Sequence, residues 1–464
     1  MEKIKNVVNN YYHFVFIGLI LFFRGFYLLN GWGLGHMAAD SNSYLYADLS
    51  ISALGGRVPL YPLFLKVCRR MVRWDESMAC AVAGILQHIL SLLVLILLYR
   101  VLLIVTHIRL LAWITVLFYG CNVALLNWDS AVMSESLAID LVIVFIYVTV
   151  RYLKSRSALW GCLCVLVSVA AAMTKPTCAV LTGVCIVLAA IQFFRFKRMR
   201  KTVIKVSVAI LLAILFYMAY CANTYRNYGV FNLTRLGPRH NLVTVLVTRS
   251  YLNYPDKELV DKIDAIVKAD EAAGINIRRY PTTNKVMDLF GDSVKEKNLA
   301  LSKFNKYCAK SARWDHFMFH INNITDYWDT PYENTDWKLW DYAIEYSSFE
   351  RGVYWIMKNI FSSMHIWFSF LMLAVTLIMS IYTLIRDKDV PWYWLGMWGS
   401  MTVLLYAVYK NAYASFYRHT LFVLPFVYIS VAMLLSVGVR IIIKKYLKKQ
   451  KNDRVNSYKN KQRS

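Results

Sequence analysis

A chain of 464 residues that is 58% hydrophobic and 15% aromatic, with a positive mean hydropathy, is too apolar to close around one soluble core. Its 53 Lys and Arg outnumber 28 Asp and Glu for a formal charge of +25, a balance that in a soluble chain would suggest nucleic acid. The basic residues gather beside apolar runs instead, so the charge reads as membrane topology and adhesion to membrane lipids, with no nucleic-acid partner.

In chain order, apolar runs of roughly 17–25 residues, the length that crosses a bilayer, recur about ten times. They fall near 14–29, 78–101, 110–126, 134–152, 159–173, 177–194, 203–221, 362–385, 392–409 and 421–439. The first run is long and lacks a small-residue cleavage site, so it is expected to be a retained anchor. Short loops rich in Lys and Arg stay in the cytoplasm. Arg151, Lys154 and Arg156 follow the fourth run, and Arg195, Lys197, Arg198, Arg200 and Lys201 the sixth. Arg386 and Lys388 follow the eighth, and the tail from Arg440 to Arg463 is basic. Both termini are then cytoplasmic. The other loops face outward: that of Asp40, the turn 128–135, Lys175-Pro176, the segment 223–351 and the turn before Arg418.

The expected fold is an all-α polytopic membrane protein of about ten transmembrane helices. Interfacial helices are expected in the first external loop, and the long outer segment should be helical. Residues 1–222 form an N-terminal transmembrane module with first external loop 31–77, and 223–351 the extracytoplasmic segment. Residues 352–443 carry the last spans, and 444–464 the basic tail. Within the first loop, Leu63, Phe64, Val67 and Met71 recur at helical spacing with Lys66, Arg69, Arg70 and Arg73 between them, the pattern of an interfacial helix over 60–74. In the outer segment Leu259, Ile263, Ile266 and Val267 mark one helix face. That segment has no glycine-rich phosphate loop and no His/Cys metal spacing. The nine cysteines, mostly inside the runs, read as small packing residues.

Ionisable residues in or near spans cost several kcal/mol unless paired, so each needs a reason. Arg24 in the first run, Glu135 at the head of the fourth, Lys175 after the fifth, and Arg418 with His419 before the tenth all fall near the outer surface, level with Asp40; Asp140 lies deeper. Arg24 could instead form an internal ion pair with Glu135 or Asp140, and Asp48 could be a solvated loop carboxylate. A carboxylate such as Asp40, held at a membrane surface, can take a proton from a hydroxyl whose reaction partner is anchored in the bilayer.

Several motifs keep a fixed order and sidedness: Asp40-Ser-Asn-Ser-Tyr44, Arg57-Val-Pro-Leu-Tyr-Pro62, Glu135, Lys175-Pro176, Arg226-Asn-Tyr-Gly-Val-Phe231 with Asn241, and Tyr417-Arg418-His419 with Pro425. By these the chain resembles, nearly end to end, the bacterial polytopic glycosyltransferases of the C superfamily that use polyprenyl-phosphate sugars, such as protein mannosyltransferases and the aminoarabinose transferase of lipid A. The resemblance implies an active site on the periplasmic or extracellular side of the plasma membrane, with Asp40 as general base. Lys175, Arg418 and Arg57 would hold the donor phosphate, and Asp48, Glu135, Arg24, Tyr44 and His419 would support the site or the acceptor. It implies a lipid, polysaccharide or protein acceptor and no nucleotide; with no metal-ligand cluster in the sequence, no metal and no cofactor are expected. Ser41 stands where some members carry an acidic residue beside the catalytic Asp, and the spans are fewer than in many members. Two other readings stay open. An O-antigen-type polymerase or ligase could use Arg235, Arg239 and His240; a lipid-linked-sugar flippase or transporter would ordinarily show internal repeats, which are not evident.

Overall fold

The computed structural model describes residues 2–30, 34–38, 40–195, 197–278, 280–326, 347–386, 393–411 and 416–461. Lys388, the expected start of the ninth span at 392, and positions 31–33, 327–346 and 462–464 of the expected domains lie outside the described residues. Among the described residues the helix is the only regular element, with one isolated β-bridge between His36 and Ala131.

The chain rises through α1 (Glu2–Asn30), forms the short α2 (Ser41–Leu45) and the surface helix α3 (Leu60–Met71), and returns through α4 (Glu76–Thr106). Next come α5 (Arg109–Gly120), α6 (Val123–Ser130), α7 (Ser134–Ser155), α8 (Ala158–Thr174), α9 (Val180–Arg195) and α10 (Arg200–Tyr228). An external body follows, made of α11 (Gly237–Val247), α12 (Lys257–Ala272), α13 (Tyr280–Met287), α14 (Val294–Ser311) and α15 (Arg313–Asp326). The chain then completes the bundle with α16 (Ser348–Ile356), α17 (Ile366–Arg386), α18 (Tyr393–Asn411), α19 (Phe416–Thr420) and α20 (Leu424–Lys461).

Among the described residues seven helices are long and apolar enough to cross a membrane, or eight if α5 and α6 count as one bent span. The sequence reading expected about ten. Part of the difference has a local cause: the run 110–126 is continuous in hydropathy, but Asn122 accepts a hydrogen bond from the Ala124 amide at 2.9 Å and starts a new helix. The two pieces meet at 52°. The fifth run forms α8, only 17 residues long, and the ninth forms α18; neither belongs to the seven. The seventh run extends past its expected end, because α10 continues to Tyr228 before Gly229 closes it with φ 71°.

The surface helix α3 has two apolar faces. Tyr61, Leu65 and Cys68 are buried against the bundle, while Leu63, Val67 and Met71 point outward and are exposed. An outward apolar face on a helix with Arg69 and Arg70 in its last turn suits the lipid interface. In the external body, Ile263 and Val267 of α12 are buried, and Leu259 and Ile266 pack on the same cluster, joined by Leu301 and Phe304 of α14. At the opposite end of the bundle, Arg440 of α20 donates to the Thr106 carbonyl at 2.7 Å, placing a cation on the last turn of α4.

Candidate functional site

Asp40 is placed by backbone contacts outside the helices. The amides of Gly35 and His36 both donate to the Ser130 carbonyl, at 2.9 and 3.0 Å, and the Val132 amide returns a bond to the His36 carbonyl at 2.8 Å. From α4, the Gln87 side-chain amide donates to the carbonyls of Asp129 and Ala131 at 2.9 and 2.8 Å, which fixes the other half of this junction. Gly35 lies against α4 so closely, with φ 80°, that a Cβ would fall 2.2 Å from the Cys80 carbonyl carbon. Ser41, fully buried, donates to the Val132 carbonyl at 2.8 Å. The position where the resemblance would allow an acidic residue is therefore part of the junction here. Asp40 flanks the start of α2 without a side-chain capping bond, so its carboxylate is left for other partners.

Arg57 is held from the other side. The loop 51–55 is tied to α10 and the residues after it by Asn227 Nδ2 to the Ile51 carbonyl at 2.8 Å, Tyr228 Oη to the Ala53 carbonyl at 2.9 Å and the Arg235 amide to the Gly55 carbonyl at 2.8 Å. The Arg57 guanidinium then lies over the Tyr44 ring at 4.6 Å and donates to Asp40 Oδ1 at 2.9 Å. Tyr44, itself buried, reaches Ser134 Oγ at 3.1 Å through its hydroxyl.

The second carboxylate is Glu135, in the first turn of α7, where the helix dipole favours negative charge. It is 0% exposed, and its Oε1 accepts from both Lys175 Nζ, at 2.7 Å, and Arg418 Nε. Lys175 ends α8, the end that favours a cation, and its extended backbone is the one a residue before proline prefers. Arg418 also approaches Asp40 Oδ2 at 3.4 Å and lies over the Trp128 ring at 5.3 Å. Asp40, Arg57, Glu135, Lys175 and Arg418 thus form one network from five separate chain segments. Three cations face two carboxylates, which leaves one positive charge. The network is closed at Glu135 and open at Asp40, whose side chain is 30% exposed.

Burial pushes the Asp40 carboxyl up, but Arg57, Arg418 and Lys175 outweigh it, and the pKa lies below the ordinary carboxylate value. His240 on α11 feels Arg57 and Asp40 as well; burial first, then Arg239 and Arg57, pushes its pKa down to about 4, so the ring is neutral at physiological pH. His419 stands in the field of Lys175, Arg418 and Glu135. The sequence carries little signal for Ser134 and Trp128 as members of the network, since neither residue type is unusual at a helix start or a turn.

Two expected members lie elsewhere. Arg24 pairs with neither Glu135 nor Asp140: it donates to the Gly120 carbonyl at 2.8 Å and to Ser91 Oγ at 2.9 Å, and stands 3.6 Å from Asp129. The cause is the end of α5 at Gly120, which offers a carbonyl in the bundle interior next to α1. Asp48 is exposed and turned to its own loop, accepting from the Ser50 amide at 2.8 Å and the Ser50 hydroxyl at 2.9 Å. Among the described residues no group of three or more His, Cys, Asp or Glu could hold a metal ion. No protein-family model, curated protein or solved structure matches this chain. What fold and site define is a multi-pass helical membrane protein with a partly open, cation-rich cluster around a carboxylate at one end of the bundle.

Proposed function

We propose that this chain is an integral-membrane glycosyltransferase that moves a sugar from a polyprenyl-phosphate donor to an acceptor hydroxyl at the outer face of the plasma membrane. The observation that carries the reading is the partly exposed Asp40 carboxylate beside an excess of cations, at the end of a lipid-soluble bundle. We read α8 and the bent pair α5–α6 as crossings along with α18, which makes the count even, keeps both termini in the cytoplasm and puts Asp40 outside, as the basic flanks require.

In the reaction Asp40 takes the proton of the acceptor hydroxyl while that oxygen bonds to the anomeric carbon. The bond from that carbon to the phosphate oxygen breaks in the same displacement, inverting the centre, and its electron pair leaves on polyprenyl phosphate. Arg57, Arg418 and Lys175 offset the charge that develops there. A carboxylate gripped by two arginines is a weak base. Donor phosphate binding to the same arginines would loosen that grip and raise the basicity of Asp40 when it is needed. Glu135, fully buried, serves as a positioning residue that orients Lys175 and Arg418.

The test is transfer of labelled sugar from polyprenyl-phosphate donor into membranes, comparing wild type with Asp40→Asn at equal expression. Loss of transfer with retained donor binding supports the reading, whereas full transfer by the variant removes Asp40 from the chemistry. The place of His240 in the field of Asp40 favours one second reading, the polymerase or ligase type. That reading gains if His240→Asn abolishes transfer of a lipid-linked oligosaccharide and Asp40→Asn does not.

A further inference from the structure

Where the external body meets the bundle lies a cavity of about 650 Å³, inside the range of roughly 300–1,000 Å³ usual for small-molecule sites. Its walls come from α11, α14 and α15, with Tyr406 of α18 on one side. Lys306, Arg313, His316 and His320 line it, and none of the lining residues is a carboxylate. Three acids of the same body are paired elsewhere, Glu271 with Arg249, Asp270 with Lys285 and Asp288 with Lys297.

Asn305 adds a specific demand. It is 4% exposed, and its Nδ2 donates to the Pro238 carbonyl at 2.7 Å, while its Oδ1 is buried with no hydrogen-bond partner. That oxygen has no partner within the protein, and a ligand hydroxyl reaching it from the cavity would supply one. Phe231, Phe317 and Tyr406 present exposed rings to the same space. Aromatic faces beside amides and hydroxyl acceptors are the surroundings that the C–H face and O–H rim of a sugar ring match.

We propose that this cavity binds an anionic saccharide, carboxylated or phosphorylated, which serves as the acceptor of the transfer. The acceptor role rests on the transferase reading; the binding does not. The helix α11 contributes to both sites, with Asn241 on the cavity wall and its neighbour His240 in the field of Asp40 and Arg57.

The full chain in nanodiscs would be titrated calorimetrically with trigalacturonate, glucose 6-phosphate and neutral maltotriose. At least one anionic probe should bind about tenfold or more tightly than maltotriose, and which one binds tells carboxylate from phosphate. The double variant Lys306→Gln/Arg313→Gln, at two exposed positions, should weaken that binding by about tenfold or more, and Asp48→Asn, whose side chain serves its own turn, should leave it unchanged. Equal binding of charged and neutral probes, no binding of either anion, or indifference to the double variant overturns the proposal. Anion binding without sugar transfer would sink the transferase reading alone, and transfer without anion binding would sink the cavity alone.

Discussion

Two polar clusters sit within this bundle, one around Asp40 and Glu135, the other around Arg24 and Asp129. The inner one is closed. Arg24 is 3% exposed, its guanidinium is taken up by backbone carbonyls, Ser91 and Asp129, and Asp129 in turn accepts from Ser136 at 2.6 Å. The outer one joins a fully buried base, Glu135, to an open rim where cations exceed carboxylates. A closed cluster locks helices together; an open one with unspent charge can receive an ion. The ordinary sequence signal, a charge in an apolar run, is the same for both.

The sharpest way to break this contrast is at the rim. Asp40→Asn should lower transfer by roughly 10²–10⁴-fold, the usual contribution of a general base, with thermal stability near that of wild type. If the melting temperature falls and transfer per folded molecule holds, the rim is structural. Glu135→Gln should act on folding first, because Lys175 and Arg418 lose their shared buried counter-charge, a loss of roughly 3–5 kcal/mol visible in a thermal melt. Arg24→Met should destabilise by a comparable or smaller amount while leaving transfer per folded molecule unchanged, and adding Asp129→Leu should recover much of the stability. Recovery of neither would mean that the carbonyl and Ser91 bonds, not the ion pair, hold the inner cluster.

A smaller effect concerns pH. The Asp40 pKa is lower in the folded chain than in the unfolded one, so its contribution to stability is present above about pH 3.9 and is lost as pH falls through the folded value. The same carboxylate is the proposed base, so kcat/KM for the donor, which reports the free protein, should stay level on acidification to about pH 4 and drop only below it. Arg57→Gln removes one lowering charge and should move that acidic limb upward, which a pH–rate profile would read. The smallest effect is expected at Asp48→Asn: no measurable change in transfer or in melting temperature, since that side chain is solvated and serves its own turn.

Much of the bundle is legible in hydropathy, and the surface helix α3 and the buried face of α12 in periodicity, because burial of one face leaves a repeat in the residues. Asp40, Arg57, Glu135, Lys175 and Arg418 could be grouped beforehand because sidedness fixes which end of a span each occupies. Register within a layer carries no such trace. Arg24 shares their level in the sequence reading, yet the end of α5 at Gly120 turns it inward, and hydropathy cannot show a break made by one capping Asn122. The residues that line the cavity were equally hidden, since Asn241, Asn305, Arg313 and Tyr406 come from four helices and have no common spacing.

The junction between His36 and Val132 has a consequence for timing. Because Gly35 and His36 are bonded to Ser130, and His36 and Ser41 to Val132, the disorder of that stretch is given up once, as the bundle folds. On the proposed reading, a donor arriving from the bilayer would meet a carboxylate already in place, and its binding energy would not be drained by ordering the loop that carries it.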